Sequence, residues 1–362
     1  MKQTTLAVSL GCPSGIGPEV TVLAAASAPP DVRCVLVGDD MVVRRAAHLR
    51  NVDPNRFRRV HDADSIETLE ARQIGIWQPS TQLQLPSRFG LPDQDAGRGQ
   101  LAWVNEALAM VQAGIAQAMV TGPVSKHAIA TSGAPGAASF LGHTEHLARA
   151  LHAEEVVMSF VTANITTSLV TTHLPISKVP KAITKQAVSC STYWLVRLLR
   201  ALGKARPRVA VASLNPHAGE GGLLGKEEET SIRPGIALVV ERLDREGIAA
   251  EILGPIGAET AYRKNDAGLF DGVVAMYHDQ ATIPSKLVGF GDAVNVTLGL
   301  PVIRTSVDHG TGYDIAGKVL ADPRSMASAI ALALKLTRSR KEASLLWRPS
   351  GRPSGRPSGN RG

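Results

Sequence analysis

The sequence predicts an α/β protein with a largely parallel sheet, and three observations carry that prediction. Short runs rich in Val, Ala and Leu alternate with longer stretches of helical periodicity. Aromatic residues are only 4% of the chain, so small aliphatics must fill the core, which suits helices packed closely on a sheet. Three histidines, His173, His217 and His278, each fall just past an apolar run (SLVTT, VAVASLNP and GVVAMY). Ligands of open α/β sheets bind outside the carboxyl ends of the strands, where such histidines would be delivered.

In chain order, LAVSL (6–10) is a strand that enters a Gly/Pro turn and the apolar helix EVTVLAAASA. CVLVG (34–38) leads through GDD into the helix MVVRRAAHL. Residues 54–98 are polar and Pro-rich and read as a β excursion with loops. QLAWVNEALAMVQAG (100–114) is a helix feeding the strand AMV and the loop TGPVSK. HTEHLARALH is a helix, VVMSFVT and TSLVTTH are neighbouring strands, and ITKQAVSCSTYWLVRLLRAL is a long helix. RVAVASLNPH is a strand, and SIRPGIALVVERLDREG is a helix that Gly247 stops. GVVAMYH is a strand followed by a loop, residues from Val294 read as strand and loop, and SMASAIALALKLTRSR is the last helix.

The 362 residues suffice for two domains and a large core. Of the +7 formal charge, four come from Arg348, Arg352, Arg356 and Arg361 in a tail that repeats Arg-Pro-Ser-Gly. That tail has no apolar residue after Trp347 and is expected to be disordered, either as an electrostatic tether or as an idle extension. No basic stripe with interleaved aromatics points to nucleic acid. No apolar segment reaches membrane-spanning length. The stretch before Cys12 is short for a secretory signal, and Ser9 stands where a lipoprotein box needs an aliphatic residue. Cys12, Cys34 and Cys190 are scattered and odd in number, which argues for a reducing, cytoplasmic setting without disulfides.

Gly11, Gly15 and Gly17 follow the first strand, but no third glycine completes a dinucleotide fingerprint, so they read as a tight turn. The segment Ser306–Lys318 (SVDHGTGYDIAGK) resembles the cofactor loop of isocitrate and isopropylmalate dehydrogenases. Its glycines allow the backbone close approach to a nucleotide. On that resemblance His309, Gly310, Thr311 and Asp314 would bind the adenosine end of a nicotinamide cofactor.

Taken singly, each strand-end histidine is also readable as a hydrogen-bonded structural residue. Together they suggest an open metal site with a coordination position left for substrate, with Asp279 orienting a ligand imidazole. His48, His61 and His152 sit in polar contexts and read as surface residues. Gly142-His143-Thr144-Glu145 opens a helix, where a side-chain donor and free N–H groups suit an anion, or where Thr144 simply caps. Lys286 and Arg304 lie near apolar strand ends and need an anionic partner: a phosphate or carboxylate substrate, or an internal salt bridge. Lys126 is a loop lysine, either exposed or facing the site.

These stretches together resemble the 4-hydroxythreonine-4-phosphate dehydrogenase family. The matching residues are GCPSGIGPE (11–19), TGPVSK (121–126), GHTE (142–145), NPHAGEGG (215–222), YHDQ (277–280) and VNVTLGLP through DHGT (294–311). The resemblance implies two α/β/α domains of isocitrate/isopropylmalate dehydrogenase type with a cleft between them. One would comprise residues 1–127 plus about 285–346 and carry the cofactor loop; the other, 128–284, would carry the metal ligands and dimer interface, with 347–362 as the basic tail. It implies NAD, or NADP, as cofactor and a divalent metal (Zn, Mg or Co) held by His173, His217 and His278. It also implies a homodimer whose shared site takes ligands from both chains. Substrate would meet His143, Thr144, Lys286, Asn295 and Arg304, with Asp279 and Lys286 as catalytic groups.

The implied reaction is oxidation of 4-phosphooxy-L-threonine, followed by decarboxylation to 3-amino-2-oxopropyl phosphate on the way to pyridoxal phosphate. Ala281, Leu223, Leu224 and Val319 depart from the pattern common in the family and bear on the substrate. The alternatives are a relative acting on 4-phospho-D-threonate or 4-phospho-D-erythronate and, more remotely, a metal-dependent hydrolase.

Overall fold

The computed structural model describes residues 3–79, 88–289 and 291–339; the Arg-Pro-Ser-Gly tail lies outside the described residues. Its strands are β1 (Thr4–Ser9), β2 (Val32–Val37), β3 (Phe57–Val60), β4 (Ile74–Trp77), β5 (Ala118–Thr121), β6 (Val157–Val161), β7 (Thr166–Leu169), β8 (Arg208–Ala212), β9 (Glu251–Ile256), β10 (Gly272–Ala275), β11 (Val294–Leu298) and β12 (Arg304–Val307). They form one sheet in the order β3-β4-β2-β1-β5-β12-β11-β6-β7-β10-β8-β9. Strands β5, β10 and β12 are buried at every position. A strand without alternation is covered on both faces, as an α/β/α sandwich requires.

The helices that cover the sheet are held by their ends and by their apolar faces. Asp39, Asp93 and Thr184 accept hydrogen bonds from the backbone amides of Met41, Ala96 and Ala187, satisfying groups that a helix start leaves unpaired. The helix Gln94–Gln112 buries Trp103, Val104, Ala107 and Leu108 in the main core. Each large side chain so buried is worth about 1.5–3 kcal/mol.

Strand direction positions the site. The block β3-β4-β2-β1-β5-β12 is parallel throughout. β12–β11, β11–β6 and β6–β7 are antiparallel, and β7-β10-β8-β9 is parallel again. The two parallel blocks therefore run in opposite directions, and β11 and β6 make the transition between them.

Three local readings differ from the sequence expectation. Within residues 54–79 the strands are not an excursion, because β3 and β4 join the sheet edge in parallel register. The edge strand β3 alternates only weakly, with Arg58 and Arg59 both exposed, which hides its pattern. The segment after His278 is a helix, His278–Val288, with Pro284 inside it. The proline forfeits one intrahelical hydrogen bond without ending the helix. The strand β9 went unread because Pro255 interrupts it, and an edge strand tolerates a proline. Among the described residues, no helix is long and apolar enough to cross a membrane, and Cys12, Cys34 and Cys190 are free thiols.

Candidate active site

A cavity of about 360 Å³ lies where the two blocks meet, a size that suits a small molecule. Its floor is one face of the central strands: Met158 and Phe160 on β6, Asn295 on β11, Arg304 and Ser306 on β12. Asn295 pairs in register with Phe160 on one side and Ser306 on the other, so these side chains share a face. The walls come from both blocks. Thr121 ends β5, Gly122–Val124 and Lys126 follow it, and Asp308, His309 and Gly310 follow β12. From the other block His173 follows β7 and His278 follows β10, and the helix His143–Ala150 supplies its first residues.

Arg304 is the most telling side chain of the floor. It is only 3% exposed. Its guanidinium donates to Thr121 Oγ1 at 3.1 and 2.7 Å and to Thr297 Oγ1 at 2.8 Å. Those partners are neutral, and among the described residues it forms no ion pair. Burial pulls its pKa down to about 10, with Glu145 acting weakly against this through space. Its surroundings hold further unmet polar groups: His143 Nε2, Asn295 Oδ1 and His309 Nε2 are buried and meet no hydrogen-bond partner among the described residues. Buried polar atoms without partners are rare and costly, and each calls for a partner such as water, an ion or a ligand. Burial, and then Arg304, His146 and Lys126, hold the His143 pKa well below the ordinary histidine value, so it is neutral at pH 7.

At the rim Lys286 Nζ lies 3.6 Å from Asp308 Oδ2. Burial raises the Asp308 pKa, and Lys286 opposes the rise. His173 and His278 stand with ring centroids 5.6 Å apart. Burial, Lys126 and His278 lower the pKa of His173, which keeps it a neutral imidazole with a free lone pair. Asp279 bonds His278 Nδ1 at 2.7 Å, the orienting contact expected of it, but its own carboxylate lies outside the cavity lining.

His217 does not join the other two. It is exposed and outside the lining, and among the described residues no group of three or more His, Cys, Asp or Glu is gathered to hold a metal. The backbone explains this. His217, Ala218, Gly219, Glu220, Gly221 and Gly222 all have positive φ, from 47° to 97°. Each non-glycine there carries a cost of about 1–2 kcal/mol. The loop is thus wound away from an ordinary helical continuation of β8.

His309 and Gly310 line the cavity, whereas Thr311 and Asp314 do not. The Thr311 carbonyl instead accepts from Ile16 N at 2.9 Å, and a Cβ on Gly15 would stand 2.5 Å from that oxygen. Glu19 Oε1 accepts from Gly317 N at 2.7 Å. The turn 11–19 is therefore the bed on which the 309–318 loop rests, as a tight turn should be. His143, Thr144, Lys286, Asn295 and Arg304 all line the cavity, and Lys126 faces it. His48, His61 and His152 are exposed. Thr121 and Asp308 were given no role; Thr121 ends the readable apolar strand β5, whereas Asp308 follows β12, whose residues RTSV carry no apolar run to signal it.

A family model described as pyridoxal phosphate biosynthetic protein PdxA matches residues 31–333. The 4-hydroxythreonine-4-phosphate dehydrogenase of Desulfosudis oleivorans is 40% identical over 334 residues, 91% of this chain and 95% of that protein. The crystal structure of the enzyme of that name from Klebsiella pneumoniae superposes with a TM-score of 0.78 at 33% identity, covering 92% of this chain and 99% of that one. The terephthalate 1,2-cis-dihydrodiol dehydrogenase of Burkholderia xenovorans superposes with a TM-score of 0.62 at 32% identity, covering 92% and 98%. With its cleft, its strand-end histidines and its motifs in the family's order, the chain belongs to the PdxA family of pyridoxal phosphate biosynthetic proteins.

Proposed function

We infer that the chain oxidises the C3 hydroxyl of 4-phosphooxy-L-threonine with NAD or NADP. The product, 2-amino-3-oxo-4-phosphooxybutanoate, is a β-keto acid that loses CO2 to give 3-amino-2-oxopropyl phosphate for pyridoxal phosphate synthesis. The observation that carries this reading is Arg304, a buried cation with only hydroxyl partners at the floor of a cavity rimmed by Lys126 and Lys286. A substrate with a phosphate at one end and a carboxylate at the other supplies the missing anions.

Each residue has a task in this reading. Arg304, Lys286 and the amino end of the helix His143–Ala150, with Thr144, bind the charged ends. Neutral His143 and Asn295 offer their unmet polar atoms to the substrate. The hydroxyl proton passes to the Lys286–Asp308 pair, whose carboxyl is shifted toward neutrality as a general base needs. Asp279 holds the His278 ring in place.

His173 and His278 fit a metal in donor type and in spacing. Two imidazoles on one ion at about 2.0–2.1 Å hold their centroids roughly 5 Å apart, close to the 5.6 Å found. His217 completes the set on the family resemblance. A divalent metal held there would supply Lewis acidity toward the hydroxyl, and His309, Gly310, Thr311 and Asp314 would hold a nicotinamide cofactor, whose chemistry would be hydride acceptance.

A homodimer with a shared site belongs to the same reading. Large apolar side chains are exposed in the segment that follows each histidine: Leu174 and Ile176, Leu223 and Leu224, and Ile283 with Leu287 on the helix that His278 opens. The three free thiols suit a reducing, cytoplasmic setting.

The test follows cofactor reduction with 4-phosphooxy-L-threonine, 4-phospho-D-threonate, 4-phospho-D-erythronate and an aromatic cis-dihydrodiol, each with and without chelator. The first should turn over fastest and lose its rate to chelator. Turnover confined to another substrate reassigns the chain within the family, and cofactor-free hydrolysis replaces the dehydrogenase reading altogether.

A further inference from the structure

We propose that Glu228 is a positioning residue that clamps the loop carrying His217, an assignment that rests on reading His217 as a metal ligand. Glu228 is 1% exposed, and among the described residues no cation pairs with it. Its carboxylate is spent on the first residues after β8. Oε1 accepts from Leu214 N at 2.9 Å and Asn215 N at 2.8 Å, and Oε2 accepts from Asn215 Nδ2 at 2.9 Å. A carboxylate that receives three N–H donors fixes their positions relative to one another.

The same carboxylate reaches the strained part of the loop. A Cβ on Gly219 would stand 2.8 Å from Glu228 Oε2, so the left-handed run is wound directly over it. Gly225 is equally constrained, since a Cβ there would meet Asn215 Nδ2 at 2.2 Å. A backbone held in sparsely populated conformations persists only when its surroundings over-determine it; Glu228 is the buried group that does so here, with Glu227 Oε2 also accepting from Asn215 Nδ2 at 2.8 Å.

The clamp also ties His217 to His278. β8 and β10 are adjacent parallel strands, so their following loops leave side by side. Gln280, two residues into the helix that His278 opens, accepts from Met276 N at 2.7 Å and donates to Ser213 O at 2.9 Å. Ser213 begins the loop whose next two amides Glu228 binds. One continuous hydrogen-bonded chain thus fixes the base of one histidine loop against the other.

Glu228→Gln tests this, because its amide places an N–H donor against existing donors whichever way it turns. Glu229→Gln is the matched control, since Glu229 only pairs with Arg233 on the exposed side. Two quantities are read on the full chain: Co²⁺ affinity with no substrate or cofactor, and amide hydrogen exchange over residues 213–225 without metal. In Glu228→Gln the loop amides should exchange at least about tenfold faster and Co²⁺ should bind about 10–100-fold more weakly, while Glu229→Gln matches wild type. Wild-type exchange and wild-type Co²⁺ affinity in Glu228→Gln overturn the proposal. If that variant does not fold, Asn215→Ala, which removes one of the three donors, must shift both readings in the same direction, and its failure to do so is equally decisive. His217→Ala separates the two ideas: undiminished Co²⁺ affinity there removes His217 as a ligand, and the clamp then stands or falls on exchange alone.

Discussion

Two regions of this protein hold an arginine in opposite ways, Arg304 buried and Arg242 partly buried. Outside the cavity lining, Arg242 donates to both oxygens of Glu155 at 2.9 and 3.1 Å, lies 3.6 Å from Glu246 and covers the ring of Tyr193 at 3.5 Å. Burial works to lower its pKa, but Glu155, Tyr193 and Glu246 outweigh it, and the net shift is upward. In the cleft Arg304 has two threonine hydroxyls, and its pKa goes down to about 10. The first arginine is satisfied by the fold and cements helices Lys185–Ala201 and Arg233–Arg245 to the Glu155 segment. The second has only hydroxyl partners among the described residues, which is the opening the proposed anionic substrate would fill. Burial alone does not separate a structural charge from a functional one; the partner list does.

The comparison predicts a double dissociation, and it is the largest effect expected. Arg304→Met should lower kcat/KM on the order of 10²–10³-fold, because truncating one partner of a buried charge pair costs about 2–5 kcal/mol. The ligand-free melting temperature should stay level or rise, since a desolvated cation without a counter-ion is removed. Arg242→Met should do the reverse. It leaves Glu155 without its bidentate partner, costs about 1.5–3 kcal/mol of stability, and keeps kcat/KM at the wild-type value. Measured side by side, equal losses of stability in the two variants would erase the distinction.

A smaller effect sharpens the same contrast at a neutral group. Asn295 Oδ1 is buried without a partner. In Asn295→Leu that orphan disappears, so ligand-free stability should not fall, while KM for the phosphorylated substrate should rise by up to about tenfold, the worth of one hydrogen bond. A variant that melts well below wild type but keeps its KM would place Asn295 with Arg242 as a structural residue.

What could be read from the sequence divides along the same line. Strands such as β1, β5, β8 and β10 were legible because both faces are covered and their residues form unbroken apolar runs. The cations of the cleft were legible because charges next to such runs have few explanations. The partner of each charge was not legible. Nothing local to Arg304 says that Thr121, 183 positions away, meets it, and nothing local to Arg242 names Glu155, 87 positions away. The edge strands β3 and β9 were hidden by exposed arginines and by Pro255, since an edge relaxes the pattern a central strand must keep. The helix at 278–288 was hidden by Pro284, and the left-handed winding after His217 by residues that rarely adopt it. Glycine approaches were half legible: Gly15 signalled a tight turn, but not that the carbonyl it makes room for belongs to Thr311.

The finest test uses His143, because its charge state reports whether the cleft is dry. Its native pKa lies well below 6.5, through burial first and then the nearby cations Arg304 and Lys126. Above about pH 6.5 the ring is neutral in both folded and unfolded chains and contributes no pH dependence. As pH falls through that value the unfolded chain takes a proton that the native ring refuses, so stability is lost at up to about 1.4 kcal/mol per pH unit. His143→Gln should remove that portion of the slope between about pH 7.5 and about pH 5.5 in denaturant unfolding, leaving the rest unchanged. Inorganic phosphate should act in the same direction on the wild type, because an anion on Arg304 weakens the field that keeps the ring neutral. Identical slopes in wild type and variant would mean that His143 is hydrated and ordinary. The unmet groups around it would then be met by water, and the difference between the two arginines would lie in their partners without any contribution from the dryness of the cleft.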